Sequence, residues 1–548
     1  MTRARTDGIT VLLLLAIAVG LALRVFQLGE IPPALNQDEA VNGYDAYSIA
    51  LTGRDHHGHP LPVFGLESYG DWVSPLLTFL TVPVVGLFGL SVASVRAATA
   101  IVGVLAIPAL YLLGVELFRR RGVGLVAAWY LAISPWAVHR GRFAIPPSVV
   151  PTMVVLTMLA IVWAVRRRSG RMAIVAAVAA GLTTAAYPTM KLYVPLLLLS
   201  ALLVFRHEVI QLGRRAIAYA VVVFVLIAGP IYYLSLAVPG GQTRWQQVTV
   251  VGKGHPPAFF LRQYLTYFSP RVFLLEGNNH PGQTPTPVRH GVELLSMVPF
   301  LLAGGLWVLR AASRRGEHVD EPYARFLLLA LLLYPIPGAL TTPTPHLNRG
   351  VHVIPLLALF VAVGAVALAD LLARLLHRVA PAWQRRGMTV AALMVTAVIG
   401  VELVARYRSY FVDYLRRPEV LRYFQYGQEQ AATYALAHQA EYDSVWFVGG
   451  NQTYMYLLFH GRWAPDQVQR TLRVRRIPGT WNQVEGIGKY SFGSVSPGTI
   501  AGLSLVQTIR DPNGRATWEI RGGRSAAGER TLVISSAEVT RAASSPGP

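Results

Sequence analysis

The sequence predicts an all-α polytopic membrane protein with a small extracytoplasmic α/β domain at its C-terminal end. Three observations lead there. Hydrophobic residues make up 53% of the 548 and charged residues only 14%, with a mean hydropathy of +0.43; a soluble fold cannot hide that much apolar surface. Apolar runs of near-spanning length recur up to residue 404. After residue 404 the pattern turns mixed and polar, so residues 1–404 read as the membrane domain and 405–548 as the outer domain.

The first run, 8–28, is long enough for the ~30 Å hydrocarbon core. It lacks a small-residue cleavage site followed by a soluble domain, so it reads as a retained helix. Ten further spans are expected at 94–118, 122–138, 148–165, 172–188, 192–205, 216–234, 296–311, 324–340, 351–376 and 388–404, about eleven in all. Segment 74–90 is apolar but short and holds Pro75 and Pro83. The basic clusters decide its placement. Arg3 and Arg5 put the N-terminus in the cytoplasm. Arg119–Arg121, Arg166–Arg168 with Arg171, Arg206 with Arg214 and Arg215, Arg310 with Arg314 and Arg315, and Arg378 with Arg385 and Arg386 all fall inside only if 74–90 does not cross. It is therefore expected as a surface helix in the first outer loop.

The outer loops are then 29–93, 139–147, 189–191, 235–295 and 341–350, with the tail outside as well. In the tail, 424–438 has helical periodicity, 442–450 reads as a strand, 510–515 (RDPNGR) as a hairpin turn, and Ala542 to Pro548 as a disordered end.

Charge excludes less than it suggests. Lys plus Arg number 49 against 28 Asp plus Glu, a net charge of +21. The basic residues sit between apolar runs, which suits loops facing anionic lipid, so no nucleic-acid partner is expected. The absence of cysteine excludes disulfides and thiolate metal sites.

Acids and cations then separate on one face. The first loop carries Asp38, Glu39, Asp45, Asp55, His56, His57, His59, Glu67 and Asp71. Later outer loops carry His139, Arg140 and Arg142, then Lys191, then His346 and Arg349. Cations beside an acid at a membrane surface suit a phosphate-bearing substrate: the cations neutralise phosphate, and the acid serves as a base or binds a metal. Each residue also has a plainer reading. Asp38 is a loop charge as readily as a base. Asp45 and Asp55 suit caps or turns. RDHHGHP suits an exposed loop better than a metal site. Asp71 suits the start of the surface helix, Lys191 can snorkel, and His346 and Arg349 can anchor at the surface. Arg140 and Arg142 oppose the positive-inside trend, which favours a function for them.

Together these residues resemble a known family. NQDEAVNGYDAYSIALTGRDHHGHPLPV, SYGDWVSPL and the stretch VRAATAIVGVLAIPALYLLGVELFRRRGVGLVAAWYLAISPWAVHRGRF are similar to the bacterial branch of the ArnT-like and protein O-mannosyltransferase (family 39) superfamily, which are GT-C glycosyltransferases. AAYPTMKLYVPLLLL, YFSPRVFLLEGNNHPG, PIPGALTTPTPHLNRGVHVIPLL and FQYGQEQAATYA continue the likeness. The resemblance implies a GT-C fold in a bacterial plasma membrane. It implies transfer of a sugar from a polyprenyl-phosphate donor to the hydroxyl of a glycan, lipid or protein acceptor at the outer face, usually with inversion. It maps the catalytic acid to Asp38, with Glu39 in support, and allows Asp38 to help bind a divalent cation (Mg, Mn or Ca). It maps donor-phosphate binding to Lys191, His346 and Arg349, and less strongly to Arg140 and Arg142. Many relatives carry a second acid after Phe in the loop that follows SPW. Here Ala144 follows Phe143, so Asp71 or Glu67 is the expected substitute.

Two other classes share the composition: a transporter or flippase of lipid-linked sugars, and a non-catalytic envelope-assembly protein. Transporters place ionisable groups at mid-membrane and show repeats. In this chain the acids gather in the outer loops and no strong repeat is visible, so the transferase reading leads.

Overall fold

The computed structural model describes residues 2–238, 241–276, 292–313, 321–449, 452–477, 482–495, 502–525 and 528–537. Arg314, Arg315, the GNNHPG part of the 235–295 loop and the end Ala542–Pro548 lie outside the described residues.

The architecture is a helical membrane bundle with a C-terminal sheet. Among the described residues, eight helices are long and apolar enough to cross a bilayer: Gly8–Val25, Val92–Phe118, Val150–Arg167, Arg214–Ala237, Leu295–Ser313, Glu321–Ala339, Val353–Val379 and Pro381–Arg416. The three remaining expected spans form shorter apolar helices, Arg121–Ile133, Gly170–Thr184 and Met190–Val204. The segment expected at the surface is helix Leu76–Phe88. Its 13 residues reach about 20 Å, short of the ~30 Å core. Gly89 ends it with φ +75°.

Chemistry at the helix ends explains the local breaks. In the SPW step, Ser134 closes helix Arg121–Ile133 and caps the next helix, Pro135–Arg140, through the Ala137 N–H. Pro135 takes the first helical position, where a missing N–H costs nothing. Val298–Ser313 and Val353–Val379 meet backbone to backbone. A Cβ on Gly304 would collide with the Phe360 carbonyl oxygen, and one on Gly364 with that of Phe300. Small residues at such crossings let membrane helices approach closely.

The C-terminal strands form one mixed sheet. Numbering from the hairpin of β1 (Leu66–Ser68) and β2 (Asp71–Val73) in the first loop, the sheet holds β3 (Ser444–Val448), β4 (Arg473–Arg475), β5 (Gln483–Ile487), β6 (Tyr490–Phe492), β7 (Ser504–Arg510), β8 (Ala516–Arg524) and β9 (Arg530–Ser536). Their order is β4-β5-β6-β3-β9-β8-β7. Strand β3 runs parallel to both neighbours, and the other pairs are antiparallel. RDPNGR lies at the β7–β8 turn, and FQYGQEQAATYA leads into helix Gln428–Ala437.

The sheet region does not stand apart from the first loop. Leu35, Ala40, Val41 and Tyr44 share one buried cluster with Tyr454–Phe459, Val484, Tyr490 and Ile534. This contact explains the glycine in AVNGY: a Cβ on Gly43 would lie 2.5 Å from Val95 and 2.8 Å from Phe459. Helix Gln37–Thr52 is thereby clamped between the membrane bundle and the sheet.

Candidate active site

The site begins at the first turn of helix Gln37–Thr52. Asn36 is its cap: the side chain accepts the Asp38 N–H at 3.0 Å. Glu39 Oε2 accepts the Asn36 N–H at 3.1 Å, which completes a reciprocal capping box. Glu39 is fully buried, and both of its oxygens are engaged by Arg96. Nε lies 2.9 Å from Oε1 and Nη2 lies 2.9 Å from Oε2, and the Ala144 N–H reaches Oε1 at 3.0 Å. Arg96 also donates to the carbonyls of Leu28, Pro32 and Ala34. Glu39, expected in support of Asp38, supplies no free carboxylate to the site: it holds the loop and faces away from solvent.

Asp38 is exposed. Protein nonetheless crowds around it, and this desolvation lifts its carboxyl above the ordinary range, opposed by Arg244 and helped by Glu39. An acid that is both open and crowded sits in a concavity. Asp71, at the start of β2, is buried and accepts the Trp72 N–H at 3.0 Å. Burial raises its carboxyl to about 6, opposed by Arg244 and Lys191.

Cations from four later segments surround these acids or stand near them. Lys191 lies within electrostatic reach of Asp71 and donates to Ser235 Oγ. Arg244, exposed on the short helix Thr243–Val248, acts on Asp38, Asp71 and Arg349. Arg349 is buried, and its Nη1 donates to Thr341 Oγ1 at 2.7 Å and to the Thr342 carbonyl at 3.0 Å. Buried Arg140 donates to Asn348 Oδ1 at 2.7 Å, tying the 139–147 loop to the 341–350 loop. Half-buried His346 stands in that second loop, its N–H on the Tyr267 hydroxyl at 3.2 Å. Tyr187 acts on both Arg140 and Arg349. Sequence reasoning missed Arg244, Tyr187 and Asn348. The one available signal for Arg244 was an arginine in a loop expected outside, against the positive-inside trend.

Two expected residues belong elsewhere. Arg142 does not face the concavity. Its guanidinium donates to the carbonyls of Leu23, Arg24, Phe26, Gln27 and Ile31 and so closes the end of the first helix. Glu67 turns toward the sheet, accepting from Asn482 Nδ2 at 2.9 Å with Arg476 at 3.5 Å and His59 at 3.6 Å. The loop RDHHGHP is held by its own Asp55 and by Asp45 of helix Gln37–Thr52. His56 pairs with Asp45 at 2.6 Å and His59 with Asp55 at 2.9 Å, and Asp55 forms the expected turn by accepting the N–H groups of His57 and His59. Among the described residues no three His, Cys, Asp or Glu side chains converge to hold a metal ion. Asp38 can offer one carboxylate to a divalent cation, but Glu39 is held by Arg96, so the described residues do not build a cage for one.

Residues 73–233 match the family model described as dolichyl-phosphate-mannose-protein mannosyltransferase. Over these residues the chain is similar to that family. Among solved structures, it resembles the archaeal oligosaccharyltransferase AglB of Archaeoglobus fulgidus, determined with an inhibitory peptide and a dolichol-phosphate. The TM-score is 0.51 at 13% identity, over 83% of this chain and 64% of that one. ArnT of Cupriavidus metallidurans, determined with undecaprenyl phosphate, matches at TM-score 0.47 and 17% identity, over 84% of this chain and 85% of that one. No curated protein matches the chain in sequence. The expected GT-C fold of a multi-pass membrane protein is borne out.

Proposed function

We propose that this protein transfers a sugar from a polyprenyl-phosphate donor to an acceptor hydroxyl at the outer face of a bacterial plasma membrane, with inversion at the anomeric carbon. The observation that carries this reading is the exposed Asp38 carboxylate within reach of Arg244, beside a wall of cations from the later loops. The family description, in which the sugar travels on dolichyl phosphate, supports the donor class. So does the dolichol-phosphate in AglB.

The acceptor oxygen attacks the anomeric carbon while Asp38 takes its proton. The bond from that carbon to the phosphate oxygen breaks, and polyprenyl phosphate leaves with the electron pair. A single displacement of this kind inverts the centre. Negative charge grows on the departing phosphate, so fixed cations act most strongly in the transition state. Lys191, Arg244 and Arg349 are the groups for that task, with His346 and Arg140 shaping the loop that carries Arg349. The raised proton affinity of Asp38 suits a base that must accept a hydroxyl proton. Asp71 stands in for the second acid by holding Arg244 and Lys191 in place. Among the described residues Asp38 is the one carboxylate here that would be offered to a divalent cation, which would add positive charge near the departing phosphate; no step above depends on it.

The test compares purified wild type and Asp38→Asn with radiolabelled polyprenyl-phosphate sugars and an envelope extract. Release of polyprenyl phosphate by the wild type alone is the expected result. Equal donor binding without turnover by either protein would overturn the reading in favour of transport or assembly.

A further inference from the structure

The turn that carries Asp38 is gripped by residues far along the chain. Gln425 Oε1 accepts the Gln37 N–H at 2.8 Å, and Gln425 Nε2 donates to Gln37 Oε1 at 2.7 Å. The two amides form a reciprocal pair across 388 residues of sequence. The Tyr456 hydroxyl is shared between Gln425 Oε1 and the Leu35 carbonyl. Asn36 Nδ2 donates to the Tyr423 carbonyl at 3.0 Å. Leu35, Asn36 and Gln37, the three residues before Asp38, are thus each bound to the C-terminal region.

The backbone of Gln425, at φ +56°, is the left-handed close of helix Pro418–Tyr423: the Tyr426 N–H returns to the Leu421 carbonyl at 2.8 Å and the Gln425 N–H to that of Arg422 at 3.0 Å, so the residue is held in place by its own helix end. Its side chain is what reaches the first loop. The Gln37 N–H is one of the first-turn donors that no helix can satisfy internally. Water would satisfy it equally well, so what the Gln425 amide adds is geometry.

We propose that Gln425 is a positioning residue: by pairing with Gln37 it fixes the Asp38 carboxylate against the cations of the later loops, which makes the C-terminal region part of the catalytic machinery. This rests on the reading of Asp38 as the base. It predicts that loosening the pair affects the chemical step and leaves the donor site intact.

The experiment uses the full-length protein in lipid nanodiscs with a radiolabelled polyprenyl-phosphate sugar. It compares Gln425→Ala, Gln37→Ala, the double variant and Gln425→Glu. Displacing a reacting group by about an ångström costs up to ~100-fold, so kcat should fall about 10- to 100-fold in each alanine variant. The donor KM should stay within about twofold, because no cation has moved. The double variant should be no slower than the slower single variant, since both remove one interaction. Gln425→Glu keeps the shape but adds a negative charge near Asp38, so the acid limb of its kcat profile should move to higher pH. Full kcat in Gln425→Ala, or single effects that multiply in the double variant, would overturn the positioning role. Thermal midpoints that drop in step with kcat would overturn it as well. A wild type that never turns over donor would instead refute the transfer reading, and the positioning role with it.

Discussion

Arg96→Met is the perturbation with the largest consequence that touches no substrate. Arg96 and Glu39 are both fully buried and meet through two contacts of 2.9 Å. Removing the guanidinium leaves a carboxylate charge in the core with only the Ala144 and Asn36 N–H groups for company. Breaking a buried pair from one side costs about 3–5 kcal/mol. The carbonyls of Leu28, Pro32 and Ala34 lose their donor as well, and each left dry adds about 1–3 kcal/mol. Water entering the gap will meet part of that demand, so about 4 kcal/mol is the expected loss. The double variant Glu39→Gln, Arg96→Met removes the stranded charge, while the introduced amide keeps an acceptor for the capping N–H groups. It should recover about half of that loss. Graded SDS unfolding followed by tryptophan fluorescence measures both. A loss below about 1 kcal/mol for Arg96→Met, or a double variant as unstable as the sum of its singles, would refute the account of Glu39 as a buried structural anchor.

Three further outcomes follow from the same geometry. Asp71 has a folded-state proton affinity raised from 3.8 to about 6, so the folded state binds more protons than the unfolded state between those values. Stability from this group is therefore greatest below pH 4 and declines as pH rises toward 6. Asp71→Asn should stabilise the protein by about 2–3 kcal/mol at pH 7 and by almost nothing at pH 3.5; an equal effect at both pH values would refute the burial of its charge. Ala144→Glu, which introduces the second acid that the resemblance implies, should lower stability by about 2–4 kcal/mol without raising turnover. Ala144 is fully buried with its N–H on Glu39, so a gain of activity would contradict this arrangement. Arg244→Ala should raise the donor KM about tenfold, the low end for a lost contact to a charged group because Arg244 is exposed, and the gap should narrow at high salt. An unchanged KM at low salt would remove Arg244 from the donor site.

Hydropathy made the helices legible because lipid demands long apolar runs whatever the tertiary contacts. Ser134-Pro135 and RDPNGR were legible because caps and turns are local. The site was harder, because neighbouring residues of one type diverge in space. Arg140 and Arg142 look equivalent in HRGRF, yet helix Pro135–Arg140 ends between them and the turn at Gly141 sends Arg142 beneath the first helix. Glu67 and Asp71 flank one short hairpin, which aims one acid at the sheet and the other at the cations. Arg244 carries no local pattern at all. Its role depends on where helix Thr243–Val248 lies against the first loop, and that is a tertiary fact.

Asp38 and Glu39 show the same divergence in its most useful form. Consecutive residues on an α-helix point about 100° apart, so an acidic pair at a helix start cannot place both carboxylates in one site. At the second and third helical positions the macrodipole favours negative charge on both. Glu39 commits its charge to Arg96 and to the capping box, which locks the start of the helix. Asp38 is left with the dipole and Arg244 favouring the carboxylate and the crowding of the concavity opposing it. Crowding prevails, and the proton affinity rises. A base gains from that balance, because it holds a proton more firmly than a free aspartate would. In the proposed reaction the buried acid provides the rigidity and the exposed acid the chemistry, and the spacing of one residue is what allows the two tasks to be divided.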